Sequence, residues 1–298
     1  MQESESVKKK NRYIILKLIA AAAAVFAVLG AASFPFKTVY YEVSAEGIGE
    51  SVRIVQISDL HSERYGKNMQ NLIKAIDSTS PDIIVLTGDI YDDVLPKDNT
   101  TALLSDIGCR YPCFYVAGNH EFRTPKWVEF KAEAEALGVH VLEGDNVNIN
   151  GITICGAARA ADNSIGWADS VAKCADDLNS APSSDDPLDT EQTRDNTGNS
   201  SDFTVLLCHF SEDIDFYRSF GKFDLILCGH AHGGQWRLPF SQNGLYSPGE
   251  GIFPKYSGGR FDFDDSCMIV SRGLCRTKTL FPRIFNNPEL VVIDLVNN

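Results

Sequence analysis

Five short apolar runs each end on a residue of a metal-binding type, and this repetition restricts the fold more than any other feature of the chain. "VRIVQIS" (52–58) runs into Asp59 and His61, and "DIIVLTGD" (82–89) ends on Asp89. "CFYVAGNH" delivers Asn119 and His120, "FTVLLCHF" (203–210) carries His209, and "FDLILCGH" (223–230) leads to His230 and then His232. Continuous apolar runs of this length are strands covered on both faces, as in parallel sheets flanked by helices. In open α/β sheets, sites form in the crevice beyond the carboxyl ends of the strands. Five of the six histidines fall at such ends, and only His140 does not.

Helical periods separate the runs. Met69, Leu72, Ile73 and Ile76 recur at helical spacing between the first two strands. Trp127, Phe130, Ala134 and Leu137 line one side of a second helix, with Gly138 where a C-terminal cap belongs. Closely spaced strands follow in "VHVLEGDNVNINGITICGAA", "MIVSRG" and "LVVIDL", so residues 52–298 read as an α/β domain with a largely β second half. Residues 174–202 interrupt this domain with an acidic stretch almost free of large apolar residues. Such a segment buries too little surface to order itself, and it reads as a flexible insertion.

The first 12 residues form a basic tail containing Lys8, Lys9, Lys10 and Arg12. Residues 13–35 are apolar apart from Lys17 and approach the ~20 residues a spanning helix needs. The segment is expected to be a transmembrane anchor or a signal segment, with 36–51 as a connector. Basic residues before an apolar segment stay in the cytoplasm. The catalytic domain is therefore expected outside it, held at the cell membrane or secreted after cleavage. The whole chain carries a net charge of −13. With its amino-terminal stretch basic, the remainder is more acidic still, which excludes nucleic-acid binding through a broad basic face. Among the cysteines, Cys208 and Cys228 sit inside apolar runs as small buried residues do. Cys109 with Cys113, and Cys267 with Cys275, are the pairs to consider for disulfides, and no spacing matches a zinc ribbon or finger.

Carboxylates, neutral imidazoles and an amide oxygen are ligands for divalent Mn, Fe or Zn. Asp59 with His61, and His230 with His232, are i, i+2 pairs whose side chains would point the same way in extended backbone. A glycine before Asp89, Asn119 and His230 allows a sharp turn and close approach to an ion. Seven candidate ligands exceed what one zinc takes, whereas two ions sharing a bridging carboxylate would use them all. A two-histidine, one-carboxylate oxygenase site would leave four of these residues unexplained.

In order along the chain, "DLH", "GDIYDD", "GNHE", "CHF" and "GHAHGGQ" resemble the five blocks of the calcineurin-like metallophosphoesterases, over about residues 52–295. The amino-terminal segment, "HGGQ" and the ending "RGL…FPRIFNNPELVVIDL" look most like a bacterial membrane-associated or exported branch, similar to diacylglucosamine pyrophosphatase-like phosphohydrolases. The resemblance implies two packed mixed β-sheets flanked by α-helices. By analogy Asp59, His61, Asp89 and His232 hold one metal, and Asp89, Asn119, His209 and His230 hold the other. His120 faces the scissile phosphate, and a metal-bridging hydroxide attacks phosphorus.

Arg272, Arg276 and Arg283 are candidates to contact a substrate phosphate. Residues 237–261, directly after the paired histidines, mix aromatics with glycine and proline and suit a loop wall for an apolar substrate portion. The expected substrate is a phosphorylated small molecule or lipid, met by a monomer attached to the membrane through residues 13–35. The alternatives are a phosphatase or phosphodiesterase of soluble nucleotides and a non-catalytic scaffold.

Overall fold

Each apolar run forms a strand. The computed structural model describes residues 2–31, 35–158, 161, 164–178, 203–237, 243–276 and 283–297. The first half comprises α1 (Gln2–Ala31), β1 (Lys37–Ser44), β2 (Val52–Ile57), α2 (Gln70–Thr79), β3 (Ile83–Thr87), α3 (Asp98–Ile107), β4 (Cys113–Val116), α4 (Asn119–Arg123), α5 (Trp127–Ala136) and β5 (Val139–Val141). The second half comprises β6 (Asp145–Ile149), β7 (Ile152–Gly156), α6 (Trp167–Asp177), β8 (Phe203–Leu207), α7 (Ile214–Arg218) and β9 (Leu225–Cys228). It ends with β10 (Tyr246–Ser247), β11 (Gly251–Ile252), β12 (Gly259–Asp262), β13 (Cys267–Val270) and β14 (Glu289–Val296).

Two six-stranded mixed sheets result, ordered β1-β14-β2-β3-β4-β5 and β12-β13-β9-β8-β7-β6. Strands β2 to β5 run parallel, as do β7, β8, β9 and β13, while β14 lies antiparallel to β2. The alternation of side chains along the second sheet shows how the layers stack. Val205, Leu207, Leu225 and Leu227 join the core that also contains Ile54, Val85 and Phe114 of the first sheet. Their neighbours Leu206, Cys208, Ile226 and Cys228 face the other way, onto Val171 and Cys174 of α6 and Tyr217 of α7. The sheets therefore pack face to face with helices outside, as the resemblance implied.

Four differences from the sequence reading have physical causes. The connector 36–51 carries β1, which pairs in parallel with β14 through Lys37↔Glu289 to Ser44↔Val296. Its β-branched and aromatic residues favour a strand, and β1 is half exposed because it is a sheet edge. Second, the amino-terminal segment is helical, but among the described residues no helix is long and apolar enough to cross a membrane. Lys17 interrupts the apolar stretch, and from Leu18 to the end of the helix at Ala31 it rises only about 21 Å, short of a ~30 Å hydrocarbon core. Third, Cys174 and Ala175, at the start of the expected insertion, are buried in α6; residues 179–202 lie outside the described ones. Finally, no disulfide forms among the described residues, so neither Cys109 with Cys113 nor Cys267 with Cys275 is bridged. The sulfurs of Cys208 and Cys228 lie 3.2 Å apart on adjacent strand ends.

Candidate metal centre

The carboxyl ends of β2, β3 and β4 meet those of β8 and β9 at one end of the seam between the sheets. Gln56 Nε2 donates to Cys228 O at 2.9 Å, and His209 Nδ1 lies 2.8 Å from Thr87 O. Two glycines make the approach possible. Gly88 adopts φ 86°, and a Cβ there would strike the His209 ring and the Gly118 backbone. A Cβ on Gly229 would strike Ser58 Oγ and the Asp59 carboxylate.

Five of the seven expected ligands sit in the left-handed region: Asp59 (φ 49°), His61 (49°), Asp89 (54°), His230 (67°) and His232 (48°). Non-glycine residues seldom adopt that region, and it concentrates where structure is held for function. It also corrects the i, i+2 argument, because the backbone at these positions is not extended. His230 and His232 diverge into different groups of ligand atoms.

One group is Asp59, His61 and His232, and the other is Asp89, His209 and His230; within each, the potential ligand atoms lie within 4.8 Å of one another. Asp89 touches both groups, with Oδ2 3.6 Å from His61 Nε2 and 3.3 Å from His209 Nε2. His232 Nε2 lies 3.6 Å from Asp59 Oδ1, and His230 Nδ1 lies 3.2 Å from His209 Nε2. Asn119 follows Gly118 at the start of α4, and His120 stands beside both groups, its Nε2 4.0 Å from Asp89 Oδ2.

These residues fit divalent ions. Nε2 of His61, Nδ1 of His232 and Oδ1 of Asn119 are buried without a hydrogen-bond partner. Orphaned polar atoms of this kind are costly and call for a ligand. The donor set of carboxylate, imidazole and amide oxygen suits Mn, Fe or Zn.

The charges balance internally. Burial opposes ionisation of Asp89, but the charge and hydrogen bond of His209, with His61 and His120, hold its carboxyl well below the usual range. Burial likewise pushes the His209 imidazole down, yet Asp89 outweighs this and raises it to about 10. His230 is depressed to about 3 by burial and by the neighbouring His209. Asp89 and His209 thus favour each other's charged forms, while His230 is held toward its neutral form.

A second layer fixes the first. Glu121 is fully buried and accepts hydrogen bonds from the backbone N–H of Asp89, Ile90, Tyr91 and Gly118 and from Tyr115 Oη. It holds the Asp89 loop against α4, a role that the quoted "GNHE" contained but its residue type did not reveal. Other carboxylates stand behind the imidazoles: Asp92 3.4 Å from His61 Nδ1, Asp93 2.9 Å from His120 Nδ1, and Glu212 3.6 Å from His230 Nε2. Partners of this sort set a ligand's tautomer and ring orientation. None of the three was singled out in the sequence.

The three arginines expected at the substrate are engaged elsewhere. Arg283 is buried and donates to Cys275 O and Arg272 O at 2.6 Å, and Arg276 Nε donates to Glu63 at 2.9 Å. Arg272 Nε faces Glu289 at 3.4 Å. They brace the backbone that approaches Asp59, whose carbonyl accepts from Cys275 N. Arg123 instead reaches the centre, with Nη1 2.9 Å from His120 Nε2.

Comparison with known proteins identifies the family. A metallophosphoesterase of unassigned function from Campylobacter jejuni is 28% identical over 226 residues, covering 70% of this chain and 54% of its own. The Bacillus subtilis metallophosphoesterase YkuE is 27% identical over 251 residues, covering 83% of this chain and 79% of its own. A Bos taurus protein described as a transmembrane protein with a metallophosphoesterase domain is 30% identical over 194 residues, covering 62% of this chain and 41% of its own. The chain spans about half the length of most of the curated relatives it matches. Residues 52–234, from the first core strand to the glycines after His232, match the model of the calcineurin-like phosphoesterases. The chain belongs to the calcineurin-like phosphoesterase family.

Proposed function

We propose that the protein is a binuclear metal-dependent phosphoesterase. The observation that carries this reading is the single Asp89 carboxylate standing between two donor groups, each with orphaned or charge-balanced imidazoles. Asp59, His61, Asp89 and His232 would hold one ion, and Asp89, Asn119, His209 and His230 the other. Bound there, divalent ions supply Lewis acidity and activate water for attack at phosphorus. The chain's own residues do the rest. Glu121 fixes the loop that presents Asp89, Asp93 orients the His120 ring, and His120 Nε2 faces the space where a leaving oxygen would stand. Hydrolysis of an aryl phosphate by the Mn²⁺-loaded protein, lost on chelation and restored by metal, tests the activity.

The finer reading is that the substrate is a lipid or lipid-linked phosphoester or pyrophosphate. A cavity of about 370 Å³ lined by Gln235, Trp236, Leu245, Tyr246 and Ile252 supports it. Gln235 N lies 3.4 Å from His232 O, so this apolar wall begins where the donor groups end. Helix α1 exposes Ile14, Leu16, Leu18 and Ile19, and its Phe26 ring packs 4.5 Å from Phe285, next to the Ile284 that bridges to Trp236. An exposed apolar tract of this kind suits a membrane surface. The domain would work outside the cytoplasm, consistent with the basic head of the chain, and the bovine relative is itself described as a transmembrane protein. On matched phosphoesters with and without an acyl or prenyl chain, the chain-bearing substrate is expected to have the higher kcat/KM. Trp236→Ala or Tyr246→Ala should erase that preference while leaving the short substrate unaffected. Equal kcat/KM for the two substrates would remove the lipid reading and leave the phosphoesterase reading standing.

A further inference from the structure

The centre contains a cation that neither donor group uses. Arg123 closes the one-turn helix α4, and the i, i+3 spacing places its side chain beside that of His120. Its guanidinium is exposed, and among the described residues it forms no ion pair with a carboxylate; its hydrogen bond is the 2.9 Å contact to His120 Nε2. Other arginines are engaged by carboxylates or by backbone, Arg64, Arg237 and Arg283 donating to carbonyl oxygens. Arg53, Arg110, Arg218, Arg260, Arg272 and Arg276 all pair with Asp or Glu. An unneutralised guanidinium resting on an imidazole nitrogen satisfies one of its five donors and keeps its full charge.

Its position is defined by its neighbour. His120 Nδ1 is held by Asp93 at 2.9 Å, which turns Nε2 toward Asp89, 4.0 Å from Oδ2. The Arg123 nitrogen is therefore no farther from the shared carboxylate than these contacts laid end to end. A phosphoryl group spans that interval, with some oxygens toward the donor groups and another toward the guanidinium. The planar fork of arginine matches such oxygens in a way that a point charge does not.

We propose, on the basis of the phosphoesterase reading above, that Arg123 is a catalytic residue that leaves His120 Nε2 when substrate arrives and binds a non-bridging oxygen of the phosphoryl group. The exchange has two effects. The guanidinium opposes the negative charge that builds on the equatorial oxygens as the ester bond breaks. It also frees His120 Nε2 to face the leaving oxygen, so that one movement completes both contacts.

The test uses the full chain loaded with Mn²⁺ and the variants Arg123→Ala and Arg123→Lys. Removing one such donor costs about 10²–10³-fold in turnover elsewhere, and a loss of that order in kcat/KM for an aryl phosphate is expected for Arg123→Ala. Arg123→Lys should recover part of it. Calorimetric affinity for inorganic phosphate should fall at least about tenfold in Arg123→Ala, the loss of one charge-assisted contact, with metal content and melting temperature unchanged. Unaltered phosphate affinity and turnover would overturn the proposal. So would loss of metal or a drop in melting temperature, since the residue would then be a structural brace. If the wild-type protein hydrolyses no phosphoester, the phosphoesterase reading fails by itself, and the phosphate affinities still decide the role of Arg123.

Discussion

Asp89→Asn is expected to abolish turnover and to strip most of the metal from the purified protein. The substitution is a clean probe. Asparagine has nearly the same shape and tolerates the left-handed backbone at this position, φ 54°. It also retains an oxygen to accept the His120 N–H, now 2.8 Å from Oδ1. What it removes is the charge that His61 and His209 both face at Oδ2. Stabilisation of this kind is worth several kcal/mol, so turnover should fall about 10³-fold or more. Metal stoichiometry by mass spectrometry and aryl phosphate hydrolysis read the two effects separately. A variant that binds two equivalents and turns over normally would show that Asp89 bridges nothing.

His120→Ala should give the opposite pattern, with metal retained and turnover slowed. The ring lies close enough to His61 and Asp89 to be mistaken for a ligand. Two contacts argue against that role, since Asp93 occupies Nδ1 and Arg123 occupies Nε2. Burial depresses the imidazole pKa, the charge of Asp89 opposing this and that of His61 adding to it. With Nδ1 on Asp93, the ring can protonate a leaving oxygen from Nε2 only as the imidazolium; uncharged, it orients its partners. Loss of a general acid costs about 10²–10⁴-fold, and that range is expected here. If His120→Ala instead loses metal, His120 is a ligand and the division of roles is wrong.

The sequence made the strands legible because burial on both faces leaves continuous apolar runs, and it made the donor residues legible because they stand at the ends of those runs. All eight expected positions lie at one end of the seam between the sheets. Less visible was everything that depends on direction. The pairs Asp59/His61 and His230/His232 were read as extended, but the left-handed backbone at all four sends the two members of the second pair into different groups. Strand β1 was missed because its partner, β14, lies at the far end of the chain, and periodicity carries no information about such pairings. The arginines chosen are engaged elsewhere for a related reason. Arg272, Arg276 and Arg283 precede the last core strand, and their exposure to substrate depended on whether carboxylates and carbonyls had already claimed them. Arg123 became visible only when α4 turned it over His120.

The left-handed backbone at five donor positions sets the protein's durability against its activity. Each such residue costs about 1–3 kcal/mol, and a domain of ordinary stability has only about 5–15 kcal/mol in total. Without ions only hydrogen bonds such as those of Glu121 to the Asp89 loop oppose that strain, so selection for heat resistance alone would erode the donor set first. His232 illustrates the point, with φ 48°, a buried ring and an orphaned Nδ1. His232→Asn, which suits the backbone and removes the orphan, should raise the melting temperature of the metal-free protein while weakening metal uptake. A lower melting temperature would mean that packing of the imidazole against His61 outweighs the strain. A homologue that had lost its chemistry would then be recognised less by missing motifs than by a relaxed backbone at these five positions.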